Sequence, residues 1–263
     1  MANRVHLLAV FRNEEKNVNE FFDNAEGVFA SVRITVCDST DKTTELCTKR
    51  GAIVKPSKVR YLENNINELF ATVPDGDWML LLGADERLSD ELKEDLKHLD
   101  ESYNGYIVNV REYLFTGFAK YGRINAGPNY RLFRAGKVSF PIEPHGTPII
   151  EGKVGELKGM LLHYHYKSWE DSVKRANSYS TDLRVEFEKA GCKNIDITER
   201  KPEARLLFGT HGFRRLHLFP TFQFFNYMIR HRFMLDGING WRLCSLVAKQ
   251  AYTEEQVYQT TRK

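Results

Sequence analysis

An acidic pair, Asp85–Glu86, follows an apolar run in which Trp78 to Leu82 has the character of a buried strand. A carboxylate at the end of such a strand is well placed to bind Mg²⁺ or Mn²⁺, and that ion can bridge the phosphates of a nucleotide. The alternative is that both acids lie in a solvated loop before a helix from Leu88 to Leu99, with Ser89 as its N-cap. The position that would carry another carboxylate of the site is Gly83.

Two more polar clusters follow apolar runs, Arg12 to Glu15 and Asp38 to Asp41. A carboxylate after the second run can accept hydrogen bonds from a base N–H or a ribose hydroxyl. The alternative is an Asp-Ser-Thr turn that caps the next helix. We assign Asp38 mainly to a ligand and Asp41 mainly to the cap.

Three histidines, His145, His163 and His165, form the last group of candidate ligands. An imidazole nitrogen binds Mn²⁺ and can complete a site that carboxylates begin. A histidine that makes only structural hydrogen bonds is the alternative for each of them. We expect at most one of His163 and His165 to join a given site.

The elements that must position these residues alternate between strand and helix through the first half of the chain. The predicted strands are Val5–Val10, Val32–Val36, Ala52–Val54 and Trp78–Leu82, and the predicted helices are Asn13–Ala30, Thr43–Arg50 and Ile66–Ala71. Such alternation predicts an α/β layer with a mainly parallel sheet, whose ligands sit at the carboxyl ends of the strands. The polar clusters all lie at those ends.

The second half of the chain has a different pattern. Three short strands, Tyr106–Val110, Tyr130–Phe133 and Lys158–His165, predict an antiparallel extension. From Ser168 onward the pattern is mostly helical, and the last 60 or so residues mix aromatic side chains with arginines. This stretch is either a packed helical region or one that lies on an anionic membrane. We therefore predict two domains, 1–166 and 167–263.

Composition narrows the class of protein. The formal net charge of +3 over 263 residues gives no global case for a nucleic-acid binder. The four cysteines form no C-x-x-C pair, and the chain starts without a signal-like apolar stretch, so we expect a reducing cytosol and no structural zinc. No apolar run approaches the ~20 residues that span a bilayer.

The ordered set of motifs resembles the family 2 glycosyltransferases of the GT-A fold. In the first half the resemblance rests on Asn13 to Val18, the Asp38–Asp41 cluster with Lys42–Thr43, Gly51–Ala52, and Asp77–Trp78 leading to Ala84–Leu88. In the second half the chain is similar to the bacterial lipopolysaccharide-core β-glucosyltransferase branch, through Arg131–Arg134, Gly152–Leu157, His163–Tyr164, Lys174, Tyr179–Ser180 and Leu235–Gly240.

This resemblance implies a nucleotide-sugar donor, a divalent cation (Mn²⁺ or Mg²⁺), and an inverting transfer to a glycan or glycolipid acceptor. It implies cytoplasmic placement with peripheral contact at the inner membrane face through the basic-aromatic region. The metal ligands would be Asp85 and His163. The residues that it places at the nucleotide-sugar are Val10, Arg12, Asn13, Glu14, Asp38, Asn65, Ala84 and Asp85. Arg60 or Lys58 could supply the phosphate contact that the family makes with an Arg at the position of Asn64.

The sequence departs from the family pattern at Gly83, Asn64 and Gly146, where the family carries Asp, Arg and Glu. The Glu that is missing at 146 is the expected general base, and Glu143 and the weaker candidate Glu151 are the nearby carboxylates. Two functions therefore stay open: an active transferase, or a degenerate protein that binds nucleotide-sugars without transfer. A transferase acting on nucleic acid or protein is a third interpretation.

Overall fold

The computed structural model describes residues 4–58, 62–124, 128–141, 147–174 and 218–261. The chain divides into two compact units. The first contains Met1–Arg111 and Gly127–His163, and the second contains Glu112–Ala126 and Tyr164–Lys263. The two domains proposed from the sequence, 1–166 and 167–263, remain a prediction.

A sheet of parallel strands forms the first half of the first unit. It contains β1 (Val5–Phe11), β2 (Ser31–Cys37), β3 (Ile53–Ser57) and β4 (Trp78–Leu81), in the spatial order β3-β2-β1-β4. All three neighbouring pairs are parallel, so their carboxyl ends meet at one edge. We call this edge of the sheet the ligand edge.

The central strand β1 is apolar at nearly every position because it is buried on both faces. Leu7, Ala9 and Phe11 pack into one hydrophobic cluster, while Leu8 packs into a second cluster with Met79. Alternate side chains of a strand point to opposite faces, so a continuous apolar run is what a sheet covered on both sides requires.

Four helices accompany these strands: α1 (Glu15–Ala25), α2 (Thr43–Lys49), α3 (Leu62–Phe70) and α4 (Asp90–Asp95). The predicted N-cap of α4 is confirmed, since Ser89 Oγ accepts a hydrogen bond from Leu92 N at 3.1 Å. The predicted helix over Leu88–Leu99 is too long, because residues 86–88 form a strand instead.

The antiparallel extension is confirmed, and it is longer than the sequence indicated. Beyond β4 the sheet continues through β8 and β6 to β11 and β5. The bounds of these strands are β5 (Glu86–Leu88), β6 (Gly105–Leu114), β8 (Tyr130–Arg134) and β11 (Val154–Tyr166). A separate two-stranded antiparallel sheet is formed by β9 (Val138–Ser139) and β10 (Ile149–Ile150).

The second unit combines strand ends with helices. Strand β7 (Gly117–Phe118) pairs with the end of β6. The helical elements that the structure describes in this unit include α5 (Phe219–Phe225), a π-helix (Asn226–Arg230), a 3₁₀-helix (Phe233–Asp236) and α6 (Gly237–Thr261). Its core includes Leu114, Phe233 and Leu243. Across the described residues, we find no helix with the length and apolar character that a membrane span demands.

The structure confirms the predicted α/β class with a mixed sheet and a helical C-terminal region. Cys37, Cys47 and Cys244 are buried free thiols.

Candidate functional site

The turn between β4 and β5 brings Asp85 to His163 at the ligand edge. Strand β5 pairs with β11 in antiparallel register, with Glu86 opposite His163. Asp85 is the residue just before this pair, and its Oδ1 lies 3.4 Å from His163 Nε2. Both side chains are partly shielded from solvent, with exposed fractions of 18% for Asp85 and 23% for His163. A carboxylate and an imidazole distant in sequence thus share one small site.

The second acid of the pair, Glu86, has a structural role. Its side chain is 3% exposed, and its two oxygens accept hydrogen bonds from Gly83 N at 2.6 Å and from Arg131 Nη2 at 2.8 Å. A buried carboxylate is stable when it is paired and hydrogen-bonded in this way. The interpretation of Glu86 as a solvated loop acid is wrong, because β5 carries it into the sheet.

Gly83 lies against this buried carboxylate. A Cβ atom added to Gly83 would lie 3.1 Å from Glu86 Oε2 and 3.3 Å from Asp85 Oδ1. The space beside the glycine is therefore partly filled by the two acids that follow it.

Arg87, which follows the acidic pair, holds the turn between β4 and β5 in place. Arg87 is buried, and its guanidinium donates to the carbonyl oxygens of Ala84 at 2.8 Å and of Glu86 at 2.7 Å. It also reaches Glu20 of α1 at 3.3 Å. Because these bonds hold the backbone on both sides of Asp85, its carboxylate is positioned before any ligand arrives.

The pair of Asp85 and His163 fits a divalent cation. Two ligand atoms bound to one ion at about 2.1 Å, on adjacent corners of an octahedron, lie about 3 Å apart. The observed 3.4 Å is close to that separation. A set of one carboxylate and one imidazole suits Mn²⁺ better than Mg²⁺, which prefers oxygen ligands.

The expectation that at most one of His163 and His165 can join a given site is wrong on strand geometry. Both residues belong to β11, and residues two apart on a strand point to the same face. Their ring nitrogens approach within 4.8 Å of one another.

The loops after β1 and β2 are joined by side-chain hydrogen bonds at the same edge. Asn13 N donates to Ser39 Oγ at 2.9 Å, and Asn13 Oδ1 accepts from Thr40 N at 2.8 Å. Asn13 has a positive φ of 54°, a conformation that asparagine adopts more readily than most residues. Asn13, which we proposed to bind the nucleotide-sugar, thus joins the loop after β1 to the loop after β2, and its backbone conformation is unusual.

Asp41 has the structural role that the sequence indicated. Its carboxylate accepts hydrogen bonds from Thr43 N at 3.0 Å and from Glu15 N at 3.1 Å, and Thr43 Oγ1 in turn accepts from Glu14 N at 2.8 Å. Burial alone would raise the pKa of Asp41, but the hydrogen bonds from Thr43 and Glu15 outweigh it and hold the pKa below its usual value. The charged form of Asp41 therefore links α1 to α2.

The residue that follows β2, Asp38, is the exposed acid of the ligand edge. Its φ is 43°, and its backbone N–H donates to Ser57 O at 3.0 Å, which aligns it with the end of β3. Beside it, buried Asn65 donates to Cys37 Sγ at 3.3 Å. Burial raises the pKa of the Cys37 thiol, an effect that nearby Arg12 partly offsets.

The other residues proposed to bind the nucleotide-sugar differ in how far their side chains are buried. Arg12 is exposed just after β1, Val10 is half-buried within β1, and Ala84 is buried in the turn before Asp85. Arg60 and the candidate base Glu143 lie outside the described residues, as does His145.

The second candidate base, Glu151, lies at the opposite edge of the sheet. Its carbonyl oxygen accepts from the Asn104 side chain at 2.6 Å, and Asn104 immediately precedes β6 at the level of the start of β4. From Val154 to His163, strand β11 covers about 30 Å at ~3.3 Å per residue. The Glu151 carboxylate instead pairs with Lys137 at 3.2 Å. The structure does not bring Glu151 to Asp85 and His163.

Sequence reasoning missed the roles of Arg131 and Thr43. Arg131 appeared only as part of a motif, and its partner Glu86 is 45 residues away. Thr43 was the first residue of a predicted helix, a position that favours a capping role. Nothing in the local sequence indicates that Thr43 Oγ1 accepts a hydrogen bond from Glu14 N. Both contacts depend on neighbouring strands or loops that meet only in the folded chain.

Fold and site together define an α/β protein with a candidate cation site at the carboxyl ends of parallel strands. No family model matches the chain. An uncharacterized glycosyltransferase of Rickettsia typhi is 26% identical over 209 residues, which cover 72% of this chain and 70% of the relative. An uncharacterized glycosyltransferase of Rickettsia bellii is 24% identical over 251 residues, which cover 87% of this chain and 83% of the relative.

Two solved structures show a more distant likeness. S. aureus TarS 1–349 is 13% identical, with 98% of this chain and 90% of that chain covered and a TM-score of 0.45. Glucosyl-3-phosphoglycerate synthase from Mycobacterium tuberculosis, in complex with Mn²⁺, UDP and glucosyl-3-phosphoglycerate, is 15% identical. That match covers 41% of this chain and 44% of the other, with a TM-score of 0.33.

Proposed function

We propose that this protein is a metal-dependent glycosyltransferase that moves a sugar from a nucleotide-sugar to a glycan or glycolipid, with inversion at the transferred carbon. The observation that carries the proposal is the contact of Asp85 with His163 at the ligand edge. Relatives named as glycosyltransferases support the same class.

Asp85 and His163 would hold the cation, with Mn²⁺ favoured by the mixed ligand set. When bound, such an ion neutralises the charge on the two phosphates of the donor. Asp38 accepts hydrogen bonds from the base, as expected of an exposed acid at the end of β2. Arg12, Asn13 and Glu14 form the loop beside it, and Arg60 supplies a phosphate contact.

The proposed transfer also requires a general base. An inverting transfer needs a carboxylate that takes the proton of the acceptor hydroxyl, worth roughly 10²–10⁴ in rate. Glu143 is the remaining candidate, since Glu151 pairs with Lys137 at the opposite edge of the sheet.

We assign the acceptor and a peripheral contact with the inner membrane face to the C-terminal region, 167–263. Several large apolar side chains of this region are exposed, namely Phe225, Ile229, Met234, Leu235, Ile238 and Trp241. Exposed aromatic and aliphatic side chains next to arginines suit a surface of anionic lipid. A role in lipopolysaccharide or other cell-envelope synthesis follows from this acceptor class.

A degenerate protein that binds nucleotide-sugars without transfer is the second candidate. The observation that favours it is the crowding at Gly83, where the carboxylates of Glu86 and Asp85 approach the position of a further acid. The placement of Glu151 away from the ligand edge points the same way.

The two candidates differ in turnover. The purified protein is incubated with UDP-, GDP- and dTDP-sugars and Mn²⁺, and released nucleoside diphosphate is measured. We expect slow hydrolysis of at least one donor. Clear nucleotide binding by thermal shift without any turnover would favour the degenerate binder.

The metal role is tested with Asp85→Ala. We expect this variant to lose the Mn²⁺-dependent part of nucleotide affinity, because it lacks one of the two proposed ligands. Asp90→Ala is the matched control, since Asp90 is a fully exposed acid five residues away. Unchanged Mn²⁺-dependent affinity in Asp85→Ala would contradict the assignment.

A further inference from the structure

The second unit contains a basic pocket, and three of its residues belong to the C-terminal region that we assign to the acceptor and the membrane contact. A cavity of about 440 Å³ is lined by Lys120, Tyr121, Arg123, Arg230, His231 and Arg232. These residues come from two segments, one following β7 and the other the junction between the π-helix and the 3₁₀-helix. We call this cavity the basic pocket.

The pocket gathers four permanent cations on one concave surface. Within the part of the chain that the structure describes, no carboxylate lies within ion-pair distance of any of them. Like charges that share a cavity repel each other, and an anion that enters it relieves the repulsion. The alternative is a basic surface that contacts only water, and for that role the four cations have no reason to line one cavity.

The backbone of the pocket is held in place before any ligand binds. The Asp236 carboxylate accepts hydrogen bonds from three consecutive backbone N–H groups, those of Lys120 at 2.6 Å, Tyr121 at 3.2 Å and Gly122 at 2.7 Å. Gly122 lies against the buried Phe233 ring so closely that a Cβ there would meet the ring at 2.2 Å. The segment carrying Lys120 and Arg123 is therefore fixed to the 3₁₀-helix.

His231 ties the two lining segments together. Its Nδ1 lies 2.7 Å from Arg123 O, and its carbonyl oxygen accepts from Arg123 N at 3.2 Å. A carbonyl oxygen only accepts hydrogen bonds, so Nδ1 must carry the proton. The Tyr227 ring stacks on the imidazole, with ring centroids 4.4 Å apart, and keeps the ring in this orientation.

The chain makes this junction from uncommon backbone conformations. The π-helix Asn226–Arg230 leads into Arg232, a non-glycine residue with φ of 63°. Single π-turns often occur at functional sites. Together they place Arg230 and Arg232 on either side of His231.

We propose that the basic pocket binds a phosphate ester. Arginine is the side chain best suited to a phosphate because its planar guanidinium donates two parallel hydrogen bonds to the oxygens. A phosphate monoester carries a charge of about −1.5 to −2, which offsets much of the charge in the pocket. The cavity is within the roughly 300–1,000 Å³ typical of small-molecule sites, so it holds the phosphate with part of the group that it esterifies.

Two sources would provide this chemistry, a free phosphorylated sugar or alcohol and the headgroup of a phospholipid. Ile229, Met234 and Leu235 flank the pocket residues in sequence and are more than half exposed. Exposed aliphatic side chains beside cations are the pattern of a lipid-facing site. The experiment therefore needs an arm for each source.

In the first arm, glycerol 1-phosphate is titrated into the full-length protein by calorimetry. In the second, the protein is sedimented with phosphatidylcholine vesicles that contain or lack phosphatidylglycerol. The test variant is Arg230→Gln with Arg232→Asn, because asparagine tolerates the positive φ at 232. The matched control is Lys49→Gln with Lys97→Gln, which makes the same change in net charge at exposed positions of the first unit.

We expect binding in at least one arm, and a loss of about fivefold for each pocket charge removed, or about 30-fold for the double variant. The control keeps wild-type affinity, and Arg230→Lys, which retains the charge but cannot donate two parallel hydrogen bonds, loses less affinity than Arg230→Gln. Binding of glycerol 1-phosphate identifies a free phosphate ester, and binding to anionic vesicles alone identifies a lipid headgroup. No binding in either arm, or equal losses in test and control variants, would overturn the proposal.

The site is independent of sugar transfer, so a failure here is distinguishable from a failure of the glycosyltransferase proposal. Donor hydrolysis and Mn²⁺-dependent nucleotide affinity report on Asp85 and His163. Folding of each variant is followed by circular dichroism and melting temperature. The single variant Arg230→Gln, which removes one pocket charge, covers the case in which the double variant does not fold.

Discussion

Placing an acid at Gly83 tests how strongly the carboxylates of this turn repel one another. In Gly83→Asp the new Cβ would lie 3.1 Å from Glu86 Oε2 and 3.3 Å from Asp85 Oδ1. The new carboxylate would therefore join two existing ones around a single turn. Gly83→Asn has nearly the same shape without the charge, and Gly83→Ala carries only the Cβ, so the three variants separate crowding from electrostatics.

The expected magnitude follows from these distances. Two unit charges about 4 Å apart repel by about 4 kcal/mol at an effective dielectric constant of about 20. The contact of Glu86 with Arg131 at 2.8 Å offsets part of this repulsion. We expect Gly83→Asp to be less stable than Gly83→Asn by about 2 kcal/mol without metal. Gly83→Ala should cost about 1 kcal/mol, because its Cβ crowds the Glu86 carboxylate.

The assay is urea unfolding at low salt, with and without Mn²⁺. A cation bound by Asp85 and His163 would reduce the repulsion, so we expect Mn²⁺ to narrow the gap between Gly83→Asp and Gly83→Asn. Equal stability of the Asp and Asn variants in metal-free buffer would refute the electrostatic argument. A gap that Mn²⁺ leaves unchanged would refute a cation at this position.

Three more predictions concern single side chains. Glu143→Gln should lower turnover at least tenfold with little change in nucleotide affinity if Glu143 is the base, which donor and acceptor kinetics would show; full activity would exclude it. Burial raises the pKa of Cys47 and of Cys244 to about 11, so in a Cys37→Ser, Cys192→Ser background the two remaining thiols should react slowly with a disulfide reagent at neutral pH and rapidly in urea. Because the pKa of Asp41 is lowered in the folded state, its charge stabilises the fold above its unfolded pKa of about 3.9, and this contribution is lost as pH falls through the folded value. Urea unfolding of Asp41→Asn between about pH 3 and 7 should therefore show a deficit that shrinks toward acid, and a deficit independent of pH would contradict it.

The sequence predicts the layer of parallel strands, which the structure confirms, and the edge of the sheet where we expect ligands to bind. Local patterns carry this information: β1 is apolar throughout because both of its faces are buried, and Ser89 has the hydroxyl that caps α4. The order of polar residues after each strand then indicates the ligand edge, since parallel strands end on the same side. Asp38 and Asp85 were identified in this way.

The resemblance assigned Asp85 to the metal, and the tertiary structure supplies the physical reason why the adjacent acid, Glu86, is not available as a ligand. The antiparallel pairing of β5 with β11 places Glu86 opposite His163 and next to Arg131, while Asp85 remains in the turn. In the folded chain Glu151 lies at the edge of the sheet opposite the ligand edge. The register of strands far apart in sequence depends on the whole core, and one residue of slip would exchange the buried and the exposed acid. No local pattern contains that choice.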